Sequence, residues 1–206
     1  MAGYYPDWSA WTLPPESVDW TRFDVVDFAF AIPTWDGRLE FTQSDSSALL
    51  NRLVTGAHRA GKKVKLSIGG WTGSKYFSPL VADSSSRRNF VDNCVQAYWA
   101  YSLDGIDIDW EYPNSGGAQG NIISSGDSAN FLLFLQELRA ALPDGALITL
   151  ATQVWPFAGP DGRPLGDVKG FAKVIDWILI MNYDIWGCES TPIHTLSSKE
   201  RNREPG

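Results

Sequence analysis

The sequence predicts an α/β fold, a (β/α)8 barrel of the TIM type that is incomplete, with about six of its eight β/α units present. Two observations support this prediction. Strand-like patterns alternate with helix-like patterns along the chain, which is typical of right-handed β-α-β units that build a parallel sheet. Several strand-like runs also end in polar or glycine-rich motifs, and in parallel barrels the reactive groups lie at these carboxyl ends.

The first half of the chain contains three predicted strands and two predicted helices. Near-continuous apolar and β-branched runs are typical of strands that are covered on both faces. Such a strand is predicted at residues 25–32, with a brief first strand at residues 3–6 and a further strand at residues 64–68. Apolar residues at helical spacing predict helices at residues 46–61, between Ser46 as a cap and the breaker Gly61, and at residues 90–103.

The second half of the chain continues the alternation and ends at the sixth strand. It contains a strand at 104–112, a helix at 127–143, a strand at 147–154, a short helix at 167–174 and a strand at 177–183. A closed barrel of this type has about eight strands and ~250 residues. We therefore expect a partial barrel domain over residues 1–190 and a polar, disordered tail over 191–206. The exposed edges of the first and last strands are expected to drive self-association.

Composition indicates a single globular unit with neither a nucleic acid nor a membrane as its partner. The 206 residues are 44% hydrophobic, which is enough for one substantial core. The formal net charge of -7 disfavours nucleic acid and anionic membranes, because both attract basic surfaces. No apolar run approaches the ~20 residues that span a bilayer, and the N-terminus lacks the layout of a secretory signal.

No cofactor or metal ion is expected, because the two histidines, His58 and His194, are isolated and offer no metal-site spacing. The two cysteines, Cys94 and Cys188, lie far apart in the sequence. Cys94 falls on the apolar face of a predicted helix, so we expect a buried free thiol there.

The acidic segment at residues 104–113 concentrates the candidate chemistry. In a strand, Asp107, Asp109 and Glu111 share one face, while apolar side chains occupy the other. Carboxylates in a file repel one another unless they share protons or accept hydrogen bonds, so the pattern is unfavourable for stability and indicates function.

Two simpler interpretations of this segment are a solvated acidic edge strand and a calcium-binding loop. The alternating Ile106, Ile108 and Trp110 would seat the strand on a core, which argues against an edge exposed to solvent. A calcium loop of the EF-hand type needs a central glycine and a closing glutamate at a longer spacing, and this segment has neither. A catalytic carboxylate cluster is therefore favoured.

The string Asp104-x-x-Asp107-x-Asp109-x-Glu111 resembles the signature of glycoside hydrolase family 18, the chitinase family. Three more motifs resemble that family in its own order: Gly-Tyr-Tyr-Pro at 3–6, Ser-Ile-Gly-Gly at 67–70 and Met-Asn-Tyr-Asp at 181–184. The resemblance implies a glycosidase that hydrolyses β-1,4-linked N-acetylglucosamine polymers with retention. It also implies that the N-acetyl oxygen of the sugar is the nucleophile.

The resemblance also implies roles for individual residues. Glu111 would be the acid, Asp109 would orient the acetamido group, Asp107 would share a proton behind it, and Tyr183 would hydrogen-bond the acetamido oxygen. The implied substrate-binding residues are Asp184, Trp71, Tyr112, Gly70, Met181 and Tyr5. The aromatic side chains of Trp71 and Tyr112 could equally plug the top of the barrel.

Three alternatives stay open beside the chitinase interpretation. They are a noncatalytic chitin-binding relative, an inactive truncated fragment and an endo-β-N-acetylglucosaminidase. Noncatalytic members usually lack the acid, and the presence of Glu111 argues for an enzyme. The expected partner is chitin or a chitooligosaccharide, and the resemblance implies an extracellular location.

Overall fold

The computed structural model describes residues 1–183, whose backbone is a curled, mostly parallel β-sheet with helices packed on one side. Six strands run parallel, and each pairs with the next parallel strand along the chain. They are β1 (Ala2–Pro6), β2 (Val25–Pro33), β4 (Lys63–Gly69), β5 (Gly105–Asp109), β6 (Leu147–Thr152) and β7 (Trp177–Ile180). A three-residue strand, β3 (Leu39–Phe41), pairs antiparallel with β2.

Helices connect the parallel strands. The α-helices are α1 (Ser46–Arg59), α2 (Phe77–Ala82), α3 (Ser84–Ala100), α4 (Asp127–Ala141) and α5 (Lys169–Ala172). Three short 3-10 helices, Asp7–Ser9, Pro15–Ser17 and Thr72–Tyr76, follow the ends of strands or lie within loops. This order of elements confirms the predicted alternation of strands and helices and the partial α/β barrel.

The hydrophobic core lies between the sheet and its helices. Ile106 and Ile108 of β5 are fully buried in it, as are Phe90 of α3 and Phe134 of α4. The rings of Phe90 and Phe134 stack with centroids 4.9 Å apart. The outward face of β5 is therefore apolar, which leaves its other face for the carboxylates.

Four details of the secondary structure differ from the sequence prediction. Helix α3 begins at Ser84 rather than near residue 90, because the Asp83 carboxylate accepts hydrogen bonds from two backbone N–H groups of its first turn. Helix α2 and strand β3 were not predicted. Helix α5 spans only four residues, where the sequence pattern indicated eight.

The two outer strands have one partner each within residues 1–183. β1 pairs with β2, and β7 pairs with β6. No residue of β7 is fully buried, and Ile180 is 55% exposed. The expectation that these edges drive self-association stays a prediction. The tail at 191–206 and the domain end at residue 190 lie outside the described residues.

Across residues 1–183, none of the helices combines the length and the apolar character needed to cross a bilayer.

Candidate active site

The carboxylate file predicted from the sequence is present in the folded chain. Asp107 and Asp109 lie in β5, and Glu111 follows the strand by two residues. All three are buried, with 0%, 4% and 8% of their surfaces exposed. Like charges in a dry site disfavour ionisation, so the protonation of these groups depends on what each one contacts.

Asp107 lies at the base of the file and accepts three hydroxyl hydrogen bonds. Tyr4 from β1 and Ser67 from β4 donate to its Oδ2 at 2.9 and 2.8 Å. Thr149 from β6 donates to its Oδ1 at 2.6 Å. Three strands therefore hold the side chain of Asp107 in one orientation through both of its carboxylate oxygens.

Asp109, the middle carboxyl group, is placed differently. Its Oδ1 atom is buried and has no hydrogen-bond partner within the described part of the chain. Burial, followed by the negative charges of Glu111 and Asp107, raises the pKa of Asp109 to about 8. Asp109 is therefore mostly protonated at neutral pH and can donate a hydrogen bond.

The raised pKa of Asp109 predicts how folding stability depends on pH. Between its unfolded value of 3.8 and its folded value of about 8, the folded state holds a proton that the unfolded state has lost. The free energy of unfolding should therefore fall as pH rises through this window, by at most about 1.4 kcal/mol per pH unit. Asp27, whose pKa is raised to about 7, adds to the same trend.

Asp109→Asn should flatten this slope, because the amide is neutral at every pH. Urea unfolding at a series of pH values on both sides of the window measures it. Asp92→Asn, on the exposed face of α3, is the matched control and should leave the slope unchanged. An equal slope in the wild-type chain and in Asp109→Asn would contradict the prediction.

The backbone of Glu111 is held from two sides. Its N–H donates to Ser74 Oγ at 2.9 Å, and Ser74 in turn donates to the Gly70 carbonyl at 2.9 Å. Its carbonyl accepts from Asn121 Nδ2 at 2.9 Å. Ser74 belongs to the 3-10 helix after β4, whereas Asn121 belongs to the loop after β5. Two separate loops therefore fix the main chain that carries the candidate acid.

The glycine pair after β4 brings two strand ends into close contact. Gly69 has φ +116°, and a Cβ there would lie 2.2 Å from the Asp109 carbonyl oxygen. The N–H of Gly70 donates to the same carbonyl at 2.8 Å. A residue with a side chain at position 69 would push the β4 end away from the carboxylate file.

Tyr5 was predicted to bind substrate, but in the structure Tyr4, and not Tyr5, lies on the face of β1 that points toward the carboxylate file. Tyr5 is 2% exposed, stacks on Phe28 and donates its hydroxyl to the Leu13 carbonyl at 2.7 Å. Because neighbouring residues of a strand face opposite sides, Tyr4 is the one that reaches Asp107. Tyr5 is therefore corrected to a core residue.

The remaining predicted binding residues lie around the strand ends. Trp71 and Tyr183 are 53% and 61% exposed, and Tyr112 is half-buried. Burial, then the charge of Glu111 and a hydrogen bond to it, raises the pKa of Tyr112. The N–H of Met181 donates to the Thr152 carbonyl at 2.8 Å, which ties the end of β7 to β6. Asp184 lies outside the described residues.

A cleft of about 320 Å³ opens beside Trp71, between the ends of β2 and β4. Trp8, which is 54% exposed, forms part of its wall with Phe30. The sequence prediction missed Trp8, although an aromatic residue just after a strand end was a usable signal. Ser74 and Asn121 were also missed, because their backbone contacts leave no pattern in the sequence.

Within residues 1–183, no group of three or more His, Cys, Asp or Glu side chains is placed to hold a metal ion. His58 Nε2 lies 2.9 Å from Asp104 Oδ2 at the opposite end of β5 from Glu111. Cys94 is fully buried as a free thiol, as predicted, and burial raises its pKa. Cys188 and His194 lie beyond the described residues.

A file of buried carboxyl groups at the carboxyl end of a barrel strand is the arrangement that barrel glycosidases use. Comparison with known families is consistent with this class. Residues 1–203 match the family model described as Glycosyl hydrolases family 18, and the chain belongs to that family.

Individual relatives carry the name chitinase. A "chitinase-like effector" of Moniliophthora roreri is 43% identical over 186 residues, which are 89% of this chain and 45% of that protein. The crystal structure of a Rhizomucor miehei chitinase is 39% identical with a TM-score of 0.84, covering 90% of this chain and 49% of that one. The chain thus spans about half the length of these relatives.

A second solved structure contains a bound sugar. Catalytic domain 2 of an Ostrinia furnacalis group II chitinase, a mutant in complex with the oligosaccharide (NAG)5, is 26% identical with a TM-score of 0.77. The match covers 89% of this chain and 50% of that one.

Proposed function

We propose that the chain carries the catalytic file of a retaining chitinase that hydrolyses β-1,4-linked N-acetylglucosamine polymers. The observation that carries this proposal is the buried file Asp107, Asp109 and Glu111, with each carboxyl group in a different environment. Family membership and the chitinase relatives support the same activity. Chitin or a chitooligosaccharide is the proposed partner, and the extracellular location proposed for the protein is based on the family alone.

The three environments match the needs of a reaction in which the substrate supplies its own nucleophile. Glu111, nearest the open end of the sheet, protonates the oxygen of the leaving sugar. Asp109, mostly protonated at neutral pH and unpartnered at Oδ1, can donate a hydrogen bond or receive one after it loses its proton. It thereby orients the acetamido group. Asp107, held by three hydroxyl donors, supplies a fixed negative charge behind it.

The aromatic side chains around the strand ends suit a sugar polymer. Trp71 and Trp8 present exposed rings at the cleft between the ends of β2 and β4, and Tyr183 presents an exposed ring just after β7. Aromatic rings provide flat apolar surfaces on which sugar rings stack, and the polar rims of the sugars stay hydrated. We propose that Trp71, Tyr112 and Tyr183 contact the substrate, with Gly70 and Met181 shaping the backbone around it.

A second candidate function is binding of chitin fragments without hydrolysis. The observation that favours it is the "chitinase-like effector" name of the Moniliophthora roreri relative. Both functions predict sugar binding, but only the enzyme predicts bond cleavage that depends on Glu111. An endo-β-N-acetylglucosaminidase would use the same carboxylate file and would differ by cleaving N-linked glycans.

Substrate preference tests the proposed mechanism. Because the acetamido oxygen is the proposed nucleophile, a glucose oligomer lacks the attacking group and should be cleaved about 10⁴-fold more slowly, or not at all. The test protein is a closed-barrel chimera, in which residues 1–183 precede the part of the Rhizomucor miehei chitinase that follows the matched region. Product release from N-acetylglucosamine and glucose oligomers of equal length is measured by chromatography. Comparable rates on the two oligomers would rule the mechanism out.

A further inference from the structure

One layer of side chains fills the inner face of the sheet beneath the carboxylate file. Each of the six parallel strands contributes to it, and the contacts run unbroken from β1 to β7. Its members are Tyr4, Asp27, Lys65, Asp107, Thr149 and Trp177. Three of these six side chains are ionisable at physiological pH as carboxyl or ammonium groups, and Lys65 is the only cation among them.

Lys65 is fully buried in this layer together with its counter-ion. Its Nζ lies 2.9 Å from Asp27 Oδ1, and both side chains have 0% of their surface exposed. The same ammonium group lies 4.8 Å from the centroid of the Trp177 ring and donates a hydrogen bond to Thr149 Oγ1. A buried lysine is rare and requires compensation, which the carboxylate, hydroxyl and aromatic ring provide.

The position of Lys65 connects it to the base of the file. Thr149 Oγ1 accepts from Lys65 and donates to Asp107 Oδ1 at 2.6 Å, so the hydroxyl passes the polarisation from cation to carboxylate. The Lys65 ammonium group is also only 4.0 Å from Asp107 Oδ1. A positive charge at that distance in a water-free site favours the ionised form of the carboxyl group.

We propose that Lys65 is a positioning residue for the candidate active site. With Asp27 as its counter-ion, it holds the negative charge of the file on Asp107 and thereby leaves the proton on Asp109. The catalytic meaning of this charge order depends on the proposed function, whereas the order itself is a property of the folded chain without substrate.

The groups that face Asp107 and Asp109 are consistent with this order. Tyr4 donates from β1, and Asp27 and Lys65 form a neutral pair across β2 and β4. Strands β6 and β7 contribute Thr149 and Trp177, which do not titrate near neutral pH. Within residues 1–183, Glu111 is the remaining ionisable neighbour, and its negative charge when ionised contributes to the raised pKa of Asp109. Burial and the charge of Asp107 raise the pKa of Asp27 to about 7, while Lys65 lowers it.

The experiment removes each half of the buried pair and follows where the proton resides. Asp27→Asn deletes the counter-ion, so the positive charge of Lys65 acts on the file without opposition. Lys65→Met deletes the cation and keeps a side chain of similar length. Asp27→Asn combined with Lys65→Met removes both charges together. The chain of 206 residues is labelled with ¹³C at the aspartate carboxyl carbons, and NMR titrations follow Asp107 and Asp109, assigned through the Asp107→Asn and Asp109→Asn spectra.

The two single variants should move the titration in opposite directions. In Asp27→Asn, Asp109 should lose its proton at a pH about one unit lower, which is about a tenfold lower proton affinity. In Lys65→Met, the Asp107 carbon should shift toward its protonated position in the range where the wild-type signal is ionised. The double variant should lie between them. A purely structural role for Lys65 would also change the melting temperatures of the variants. The direction of the titration shifts is therefore the measurement that identifies the proposed role.

An Asp109 titration in Asp27→Asn that matches the wild-type chain, or that is the same in Asp27→Asn and in the double variant, would overturn the proposal. If Lys65→Met does not fold, Asp27→Asn and the double variant still test the proposal. Asp27→Asn keeps Asp107 beside Lys65, and the double variant leaves no unpaired charge. The titrations contain no substrate. Their failure would therefore leave the proposed hydrolysis intact, and a lack of hydrolysis would not affect the charge order.

Discussion

Replacing Glu111 with glutamine in the closed-barrel chimera should abolish hydrolysis of N-acetylglucosamine oligomers while sugar binding is largely retained. Glutamine keeps the shape of the side chain and the backbone hydrogen bonds to Ser74 and Asn121, but it has no proton to give to the leaving oxygen. Removing a general acid typically lowers the rate by ~10²- to 10⁴-fold, and by more when the leaving group is poor. Hydrolysis rates and oligosaccharide binding by calorimetry measure the two effects separately.

The control for this substitution is Glu40→Gln. Glu40 lies on β3 and is exposed, so the same chemical change there should leave both activity and binding unchanged. Hydrolysis near the wild-type rate in Glu111→Gln would remove Glu111 as the acid. Binding without hydrolysis in the unmodified chimera would instead favour the noncatalytic function.

Residues 1–206 by themselves should hydrolyse these oligomers at least about 10²-fold more slowly than the closed-barrel chimera. In the described structure β1 and β7 each have one sheet partner, and Tyr183, just after β7, is 61% exposed, so a sugar bound at the strand ends stays open to water on that side. Water screens the charges that stabilise the transition state, and a sugar held loosely by ~1 Å can lose about 10²-fold in rate. Rates on one oligomer and thermal melts of both proteins provide the comparison.

The chimera carrying Glu111→Gln is the matched control for this comparison, since it shows any activity contributed by the added segment alone. Equal rates for residues 1–206 and the chimera, together with a single cooperative melt for the short chain, would show that residues 1–206 suffice. A chimera that neither binds nor hydrolyses the oligomer would point instead to a poor junction between the two halves.

The fold was largely predictable because most of its elements are long and periodic. Strand β2 and helix α1 have apolar patterns that few alternative structures share. Strand β3 is three residues long, and helix α2 is six. Elements this short leave no period to recognise, and their conformation is set by tertiary contacts, so the sequence alone did not indicate them.

The candidate site was predictable where the residues form a contiguous motif and less so elsewhere. The file from Asp107 to Glu111 follows from side-chain alternation in one strand. Side-chain alternation did not show whether Tyr4 or Tyr5 faces the carboxylates, because β1 is five residues long and both of its faces carry aromatic side chains. Only the partners across the sheet determine which tyrosine faces the carboxylates.

The contact between Asp27 and Lys65 was not predicted from the sequence. Asp27 is the one charged residue of β2, and Lys65 is the one charged residue in the interior of β4, so the apolar pattern of each strand dominated its interpretation. Their pairing joins two strands that are 38 residues apart in sequence at these positions, and no local pattern encodes such a contact. An isolated charge within a buried-strand pattern is the available signal, because a buried charge predicts an opposite charge on a neighbouring strand.

The polar layer beneath the carboxylate file also determines the register in which the strands pair. A slip of β5 by one residue would turn Ile106 and Ile108 toward the polar layer and push Asp107 into the apolar core. Asp107 would lose three hydroxyl donors and the nearby cation at once, and an uncompensated buried charge costs about 3–5 kcal/mol. Apolar residues alone tolerate neighbouring registers more easily. The buried polar contacts thus favour one register of the strands, and they do so without any substrate.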